Sequence, residues 1–198
     1  SDSPLLREIA RLRELTFRRV GEGTGKRMDT DVYDSWYDHI VLWDADESEI
    51  AGAYRAVPCA RVLDSIGQKG LYTASLFEFD GRLLPTIERG MELGRSFVPP
   101  KYWGSRSLDY LWYGIGAWLG QHPEIRYLFG PVSISANLPL EAREWLVAYY
   151  TRYYGHAEQL ARSPHPFRPG AAAPDFGPLD AEAAMPLLRD RLDALGAR

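Results

Sequence analysis

The sequence predicts a mixed α/β fold in which helices cover a central sheet. Three observations carry that expectation. Four segments read as helices, shorter apolar and β-branched runs of strand length stand between them, and 45% of the 198 residues are hydrophobic against 25% charged. That balance is enough to bury a sizeable core.

The opening segment reads as a helix: Ser3 caps it, Pro4 suits its first turn, and Leu5, Ile9, Leu12 and Leu15 or Thr16 follow one face. A polar, glycine-bearing stretch over residues 21–31 reads as a loop. Residues 36–43 and 50–57 look like strands, joined by a polar hairpin turn over 44–49. After a less regular region, residues 91–98 read as another strand, stopped by Pro99-Pro100. The clearest helix follows, with Leu108, Leu111, Trp112, Ile115, Trp118 and Leu119 at core spacing. Residues 127–134 make a short strand of the buried type. Asn137 then caps a helix that runs to about Tyr154, with Gly155 as its stop. Residues 163–178, rich in Pro, Ala and Gly, look like a linker, and 181–195 a final helix. No internal repeat is visible, and Ala171-Ala172-Ala173 is the one low-complexity patch.

Composition excludes several classes. Twenty-three basic against 27 acidic residues leave a net charge of −4, which argues against nucleic-acid binding through bulk positive charge. A single cysteine, Cys59, rules out an internal disulfide framework and a multi-cysteine zinc site. The longest apolar stretch, residues 111–119, is about half the length a bilayer requires. No signal peptide is visible at the N-terminus, so a cytoplasmic protein is expected.

Familiar motifs fail. The run 21–26 imitates a phosphate loop, but no glycine precedes Gly25 by five residues and Arg27 stands where Ser or Thr should hold magnesium. No His-Glu-x-x-His or Gly-x-Ser-x-Gly occurs, and Cys59 reads as core. His39 and Asp44 have the His-x-x-x-x-Asp spacing of glycerolipid O-acyltransferases, but odd spacing on a strand points them to opposite faces. The match is read as coincidence. More informative are charges inside predicted strands: Asp34 to His39 at the start of the first, Arg55 in the second, Glu92 and Arg95 in the third. Isolated strand charges cost several kcal/mol unless paired or placed at a site. Glu92 and Arg95, three apart, face opposite sides of a regular strand, and a bulge near Gly94 would bring them together.

The ordered series Tyr33-Asp34-Ser35-Trp36-Tyr37-Asp38-His39, Gly52-Ala53-Tyr54-Arg55, Phe77-Glu78-Phe79, Glu92-Leu93-Gly94-Arg95-Ser96-Phe97-Val98 and Tyr127-Leu128-Phe129-Gly130-Pro131-Val132-Ser133-Ile134-Ser135 resembles the GNAT-type N-acyltransferases. Within these it looks most like the lyso-ornithine-lipid synthase branch, often called hemolysin-like and similar to the acyl-homoserine-lactone autoinducer synthases. The resemblance covers about residues 17–154. It implies a GNAT-like domain over residues 1–160, followed by an atypical Pro-rich linker and C-terminal helix over 161–198. Two further strands usually end the family's fold, and none is visible after Gly155.

The resemblance further implies that the fourth and fifth strands, residues 91–98 and 127–134, part to hold the pantetheine arm of an acyl thioester. Ser96 and Val98 would line that arm, and Lys101 and Arg106 would hold its phosphate beside a helix N-terminus. No tightly bound cofactor or metal is implied; acyl carrier protein or acyl-CoA is the donor substrate. The sparse glycines of the loop after Pro99 favour the carrier protein, with Lys101, Arg106 and Arg82 as its basic patch. The activity implied is transfer of a fatty, 3-hydroxyacyl group to the α-amine of ornithine or a similar amino acid, in ornithine-lipid synthesis. An autoinducer-type synthase, an N-acyl amino acid synthase and a non-catalytic GNAT-like binding module are the alternatives. A lipid product brings peripheral contact with the inner membrane face as an option.

Amine attack on a thioester requires a proton acceptor and a site for the acceptor's own charges. Glu92 is the first candidate base, and Asp38 is the second or binds a side-chain ammonium. Arg55 and Arg95 suit the acceptor carboxylate, with Asp34 beside them. Phe77, Phe79 and Phe97, with Trp112, Trp118 and Phe129, are candidates to line an acyl tunnel, although core packing explains Trp112 and Trp118 better.

Overall fold

Ser3 accepts a hydrogen bond from the Leu6 N–H, and Pro4 opens helix α1 (Pro4–Arg19), as the sequence predicts. In the computed structural model, which describes residues 3–170 and 174–197, the buried stripe of α1 keeps Ile9, Thr16 and, in part, Leu12 of the expected face but loses its two outer leucines and gains charged residues. Leu5 and Leu15 are about half exposed, while Ile9, Ala10, Arg13, Glu14 and Thr16 are buried. Two charged residues lie inward because each finds partners there. The carboxylate of Glu14 accepts from the Thr24 hydroxyl at 2.7 Å, the N–H groups of Thr24 and Gly25 at 2.9 and 3.0 Å, and Arg18 at 2.7 Å. This latch pins the glycine loop along the helix. Burial would raise the Glu14 pKa, but these bonds outweigh it and hold it at about 2. A depressed carboxyl stabilises the fold fully above its ordinary value near 4.5, and that stability is lost as pH falls toward about 2. Amide-exchange protection at Thr24 and Gly25 should therefore persist at pH 6 and disappear across that acid window.

The chain divides into two units, residues 1–132 and 133–198. In the first unit, β1 (Asp38–Asp44) and β2 (Glu49–Pro58) form the predicted hairpin. The stretch read as irregular holds α2 (Cys59–Ser65), β3 (Glu78–Phe79) and α3 (Leu84–Glu88), elements too short to display a period. Next come β4 (Gly90–Phe97), α4 (Ser107–Leu119) and β5 (Tyr127–Phe129). The main sheet has the order β1-β2-β4-β5, antiparallel except for the parallel pair β4–β5. Ile9 of α1 packs on Ala53 and Phe97 at one face, and Ile115 of α4 on Ala56, Met91 and Leu93 at the other.

Two features of β4 position the site. Ala53 pairs with Phe97 but Arg55 pairs with Gly94, so Arg95 and Ser96 together oppose Tyr54. This is the bulge anticipated near Gly94, and Arg95 takes a left-handed φ of 49° within it. The ladder with β5 runs only from Gly90–Tyr127 to Glu92–Phe129, leaving Leu93 to Phe97 of β4 without that partner. The expected strand 127–134 thus stops after three residues, because Pro131 has no N–H to continue the ladder and Val132 is 91% exposed. At the parting point, a Cβ on Gly130 would sit 1.9 Å from the Leu93 carbonyl oxygen. Gly130→Ala should push β5 off β4 and lower the melting temperature by several degrees, an outcome differential scanning calorimetry reads directly.

In α4, Leu111 and Ile115 are buried, but Trp112 is 45% exposed, its ring edge-on to Tyr54 at 5.9 Å. Core packing therefore does not explain Trp112, whose helical position turns it past the edge of the buried stripe. In the second unit, α5 (Leu140–Tyr154) and α6 (Ala181–Ala194) share a core of Tyr149, Phe176, Ala184 and Leu188. The residue before α5 is Pro139, not Asn137. Phe176 belongs to the segment read as a linker; its burial between the helices makes that segment part of the unit. Ala171, Ala172 and Ala173 lie outside the described residues.

Candidate active site

On the α1 face of the sheet, three arginines from three elements meet three aspartates from one loop. Arg13 of α1 donates to Asp34 at 2.9 and 3.2 Å and to the Asp29 carbonyl at 3.1 Å. Arg55 of β2 donates through Nη1 to Asp31 at 2.6 Å and Asp34 at 3.0 Å. Arg95, turned by the bulge, donates to Asp29 at 3.1 Å and lies 3.7 Å from Asp31. A capping box fixes the loop: Asp31 accepts from the Tyr33 N–H while Asp34 accepts from the Asp31 N–H. Tyr33, Tyr37 and Tyr72 surround the Arg55 guanidinium, 5.1–5.7 Å from its carbon. Burial would raise the Asp34 pKa, but His39 and the Arg13 guanidinium hold it far below the carboxylate range. Burial would likewise lower that of Arg55, and Asp31 and Asp34 outweigh it.

This network leaves specific atoms unmatched. Nε and Nη2 of Arg55 and Nε of Arg95 are buried without a hydrogen-bond partner among the described residues. Nε and Nη2 form the edge from which a guanidinium donates two parallel bonds to one carboxylate. Well-packed apolar residues would serve stability as well as buried ions do, so an ion cluster with an unpaired edge makes this a candidate functional site.

Glu92 shares the face of Arg55, two residue pairs along the β2–β4 ladder. It is 1% exposed and accepts from Tyr37 Oη at 2.6 Å and from the Thr73 N–H and hydroxyl, each at 2.7 Å. Tyr37 Oη in turn accepts from the Tyr72 N–H at 2.8 Å. Burial and the Glu92 charge raise the Tyr37 pKa far above the phenol range, so this hydroxyl keeps its proton and links the carboxylate toward the Tyr72 loop. Cys59 lies beneath, its thiol pushed up to about 12 by burial and by Glu92, in keeping with a core residue and not a nucleophile.

The structure thus brings Asp34, Arg55, Glu92 and Arg95 to one face. Asp38 stands apart, exposed and bound to Arg61 at 2.9 Å. His39 lies 3.4 Å from Asp34, whereas Asp44 accepts from Tyr102, so the His-x-x-x-x-Asp pair does not assemble. Phe97 packs under α1, Phe79 joins the cluster of Val57, Leu71 and Ile87, and Phe77 is half-buried. Ser96 sits in the bulge and Val98 just beyond β4. Lys101 holds Glu47 and Glu49 at 2.9 and 2.5 Å, Arg106 faces Asp109 at 3.4 Å, and Arg82 binds Asp80 at 2.9 Å. All three cations assigned to a carrier protein or phosphate therefore carry carboxylate partners.

Sequence reasoning missed Arg13, Asp29, Asp31, Tyr37, Tyr72 and Thr73. One signal was present: Arg13 follows Ile9 by four residues, a charge on the buried stripe of an amphipathic helix. Nothing local marks Tyr72 or Thr73, whose roles depend on contacts with residues far away in the chain.

A strand pair that parts beside a buried carboxylate and a bulged arginine strand matches the GNAT-like architecture that the resemblance implies. The chain belongs to the acetyltransferase (GNAT) domain family, whose model matches residues 12–113. It is 36% identical over 172 residues to glycine N(alpha)-acyltransferase of Phocaeicola vulgatus, covering 80% of this chain and 53% of that protein. It is 33% identical to the glycine N(alpha)-acyltransferase of Bacteroides thetaiotaomicron, covering 82% of this chain and 52% of the relative. L-ornithine N(alpha)-acyltransferase of Agrobacterium fabrum is 33% identical over 55% of this chain and 38% of its own length. The chain thus spans about half the length of the curated relatives it matches. No solved structure gives a significant match.

Proposed function

We propose that this chain forms an amide bond between a fatty acyl thioester and the α-amine of an amino acid. The observation that carries the reading is the unpaired, buried Nε–Nη2 edge of Arg55 on the same face as Glu92. The acceptor carboxylate takes that edge and the free Nε of Arg95. Its neutral amine attacks the thioester carbonyl carbon, the C–S bond breaks, and the sulfur leaves as a thiolate, which takes up a proton from solvent as Glu92 releases there the proton it received from the amine. Glu92 accepts the amine proton through Tyr37, whose phenol receives one proton as it passes on its own. The thioester arm lies along β4 from Leu93 to Val98, beside Ser96, where β5 no longer pairs. Arg106 at the start of α4 is the phosphate partner once it turns from Asp109 at 3.4 Å, while Lys101 would have to leave both Glu47 and Glu49. Acyl carrier protein is the proposed donor carrier and a 3-hydroxyacyl chain the proposed cargo.

Each aspartate of the cluster already faces a guanidinium. Asp31 Oδ2 has no hydrogen-bond partner among the described residues, but Arg95 lies 3.7 Å from it and Arg55 binds the other oxygen; two guanidiniums beside it oppose a side-chain ammonium, which favours an acceptor of the glycine class. Ornithine, the second reading, would use the exposed Asp38 in exchange for Arg61. Incubation with acyl-carrier-protein and acyl-CoA thioesters and a panel of amino acids, followed by mass spectrometry, tests both. N-acylglycine in excess of N-acylornithine is expected, and no N-acyl product from any pair overturns the reading.

A further inference from the structure

Residues 3–28 carry seven arginines and lysines against three glutamates, a local charge of +4 in a chain whose net charge is −4. The structure folds them into one ribbon. The glycine loop turns at Phe17, whose carbonyl accepts from the Glu22 N–H at 2.8 Å, and runs back along α1. Arg18 grips the Lys26 carbonyl at 2.8 Å, and the Asp29 N–H reaches the Ala10 carbonyl at 3.0 Å. Only Arg13 of the seven cations is buried. Arg11 faces Glu8 and Arg18 faces Glu14, but Arg19, Lys26 and Arg27 are exposed with no ion-pair partner among the described residues. Aliphatic side chains stand among them: Leu15 and Val20 are 45% exposed, Met28 39% and Val32 66%.

We propose that this ribbon, the outer side of α1 with the loop over residues 20–28, docks on an anionic lipid surface. Cations interleaved with exposed aliphatics match such a surface, where headgroups meet the cations and the acyl boundary takes the apolar side chains. An acidic protein partner is disfavoured by position. The thioester arm lies toward α4 in the reading above, and α4 covers the sheet face opposite α1. In choosing lipid over carrier protein the proposal rests on that reading, but vesicle binding is measured without substrate, so the two can fail separately.

The test is co-sedimentation of the full chain with vesicles of phosphatidylglycerol and phosphatidylcholine, against phosphatidylcholine alone. The expected result is a preference for the anionic vesicles that salt weakens. Combined Arg19→Gln, Lys26→Gln and Arg27→Gln should lower the anionic partition coefficient by about 10²-fold, roughly fivefold per cation, with an unchanged melting temperature. Should the triple variant unfold, Lys26→Gln alone should give the single fivefold loss. Equal binding to both vesicle types, or full binding by the variants, overturns the proposal. So does a variant that keeps vesicle binding but loses binding to purified acyl carrier protein.

Discussion

Glu92→Gln lowers the rate of amide formation by on the order of 10²-fold or more while thioester affinity stays within about twofold. The amide keeps the volume of the carboxylate and still accepts from Tyr37 or Thr73, so the pocket stays filled. What it loses is the ability to take a proton from the attacking amine. Thr73 donates twice to one carboxylate oxygen, and a glutamine oxygen can satisfy those bonds. The Gln NH2 then faces the Tyr37 hydroxyl, which already accepts from the Tyr72 N–H. Tyr37→Phe tests the relay: without the hydroxyl the amine proton no longer reaches Glu92, so turnover falls and Glu92→Gln adds little further loss in the double variant. Unchanged turnover in Glu92→Gln, read by single-turnover kinetics with a fixed thioester, removes Glu92 from the mechanism.

Asp34→Asn is expected to destabilise the fold by about 3–5 kcal/mol, because it strips one buried charge from between Arg13 and Arg55. The guanidiniums cannot neutralise themselves, so their charge stays buried with fewer partners. For a chain of this size that loss lowers the melting temperature by roughly 6–20 °C. Asp38→Asn provides the contrast. Its partner Arg61 is exposed, and a surface ion pair contributes at most about 1 kcal/mol. Calorimetry that finds the two variants equally mild shows that the buried cluster is not an interdependent network.

The sheet was legible in the sequence because its strands carry local signals: β-branched and aromatic runs, the polar hairpin turn, and Pro99-Pro100 after β4. Glu92, Arg55 and Arg95 were legible because charges in strands need a reason, and Gly94 beside Arg95 hinted at the bulge. Other parts depend on contacts that no local pattern encodes. Asp29 and Asp31 sit in a polar loop that resembles any solvated loop until Arg13 and Arg95 reach it. Thr73 lies in a stretch without periodicity, and only the fold brings its N–H to Glu92. The linker reading failed at Phe176 because Pro and Gly content reports the absence of regular structure, not the absence of burial. Lys101 matched a phosphate ligand by type and position, but the β1–β2 turn and the first residue of β2 supply two carboxylates that composition could not place beside it.

The central claim concerns the β4 backbone beyond its last pairing with β5. Hydrogen–deuterium exchange with and without a non-hydrolysable acyl-pantetheine thioether tests it most directly. Protection should appear over Leu93 to Val98 and at the first turn of α4, with little change over Gly90 to Glu92, which β5 already pairs. A ligand that binds yet leaves 93–98 exchanging at its free rate would contradict the account.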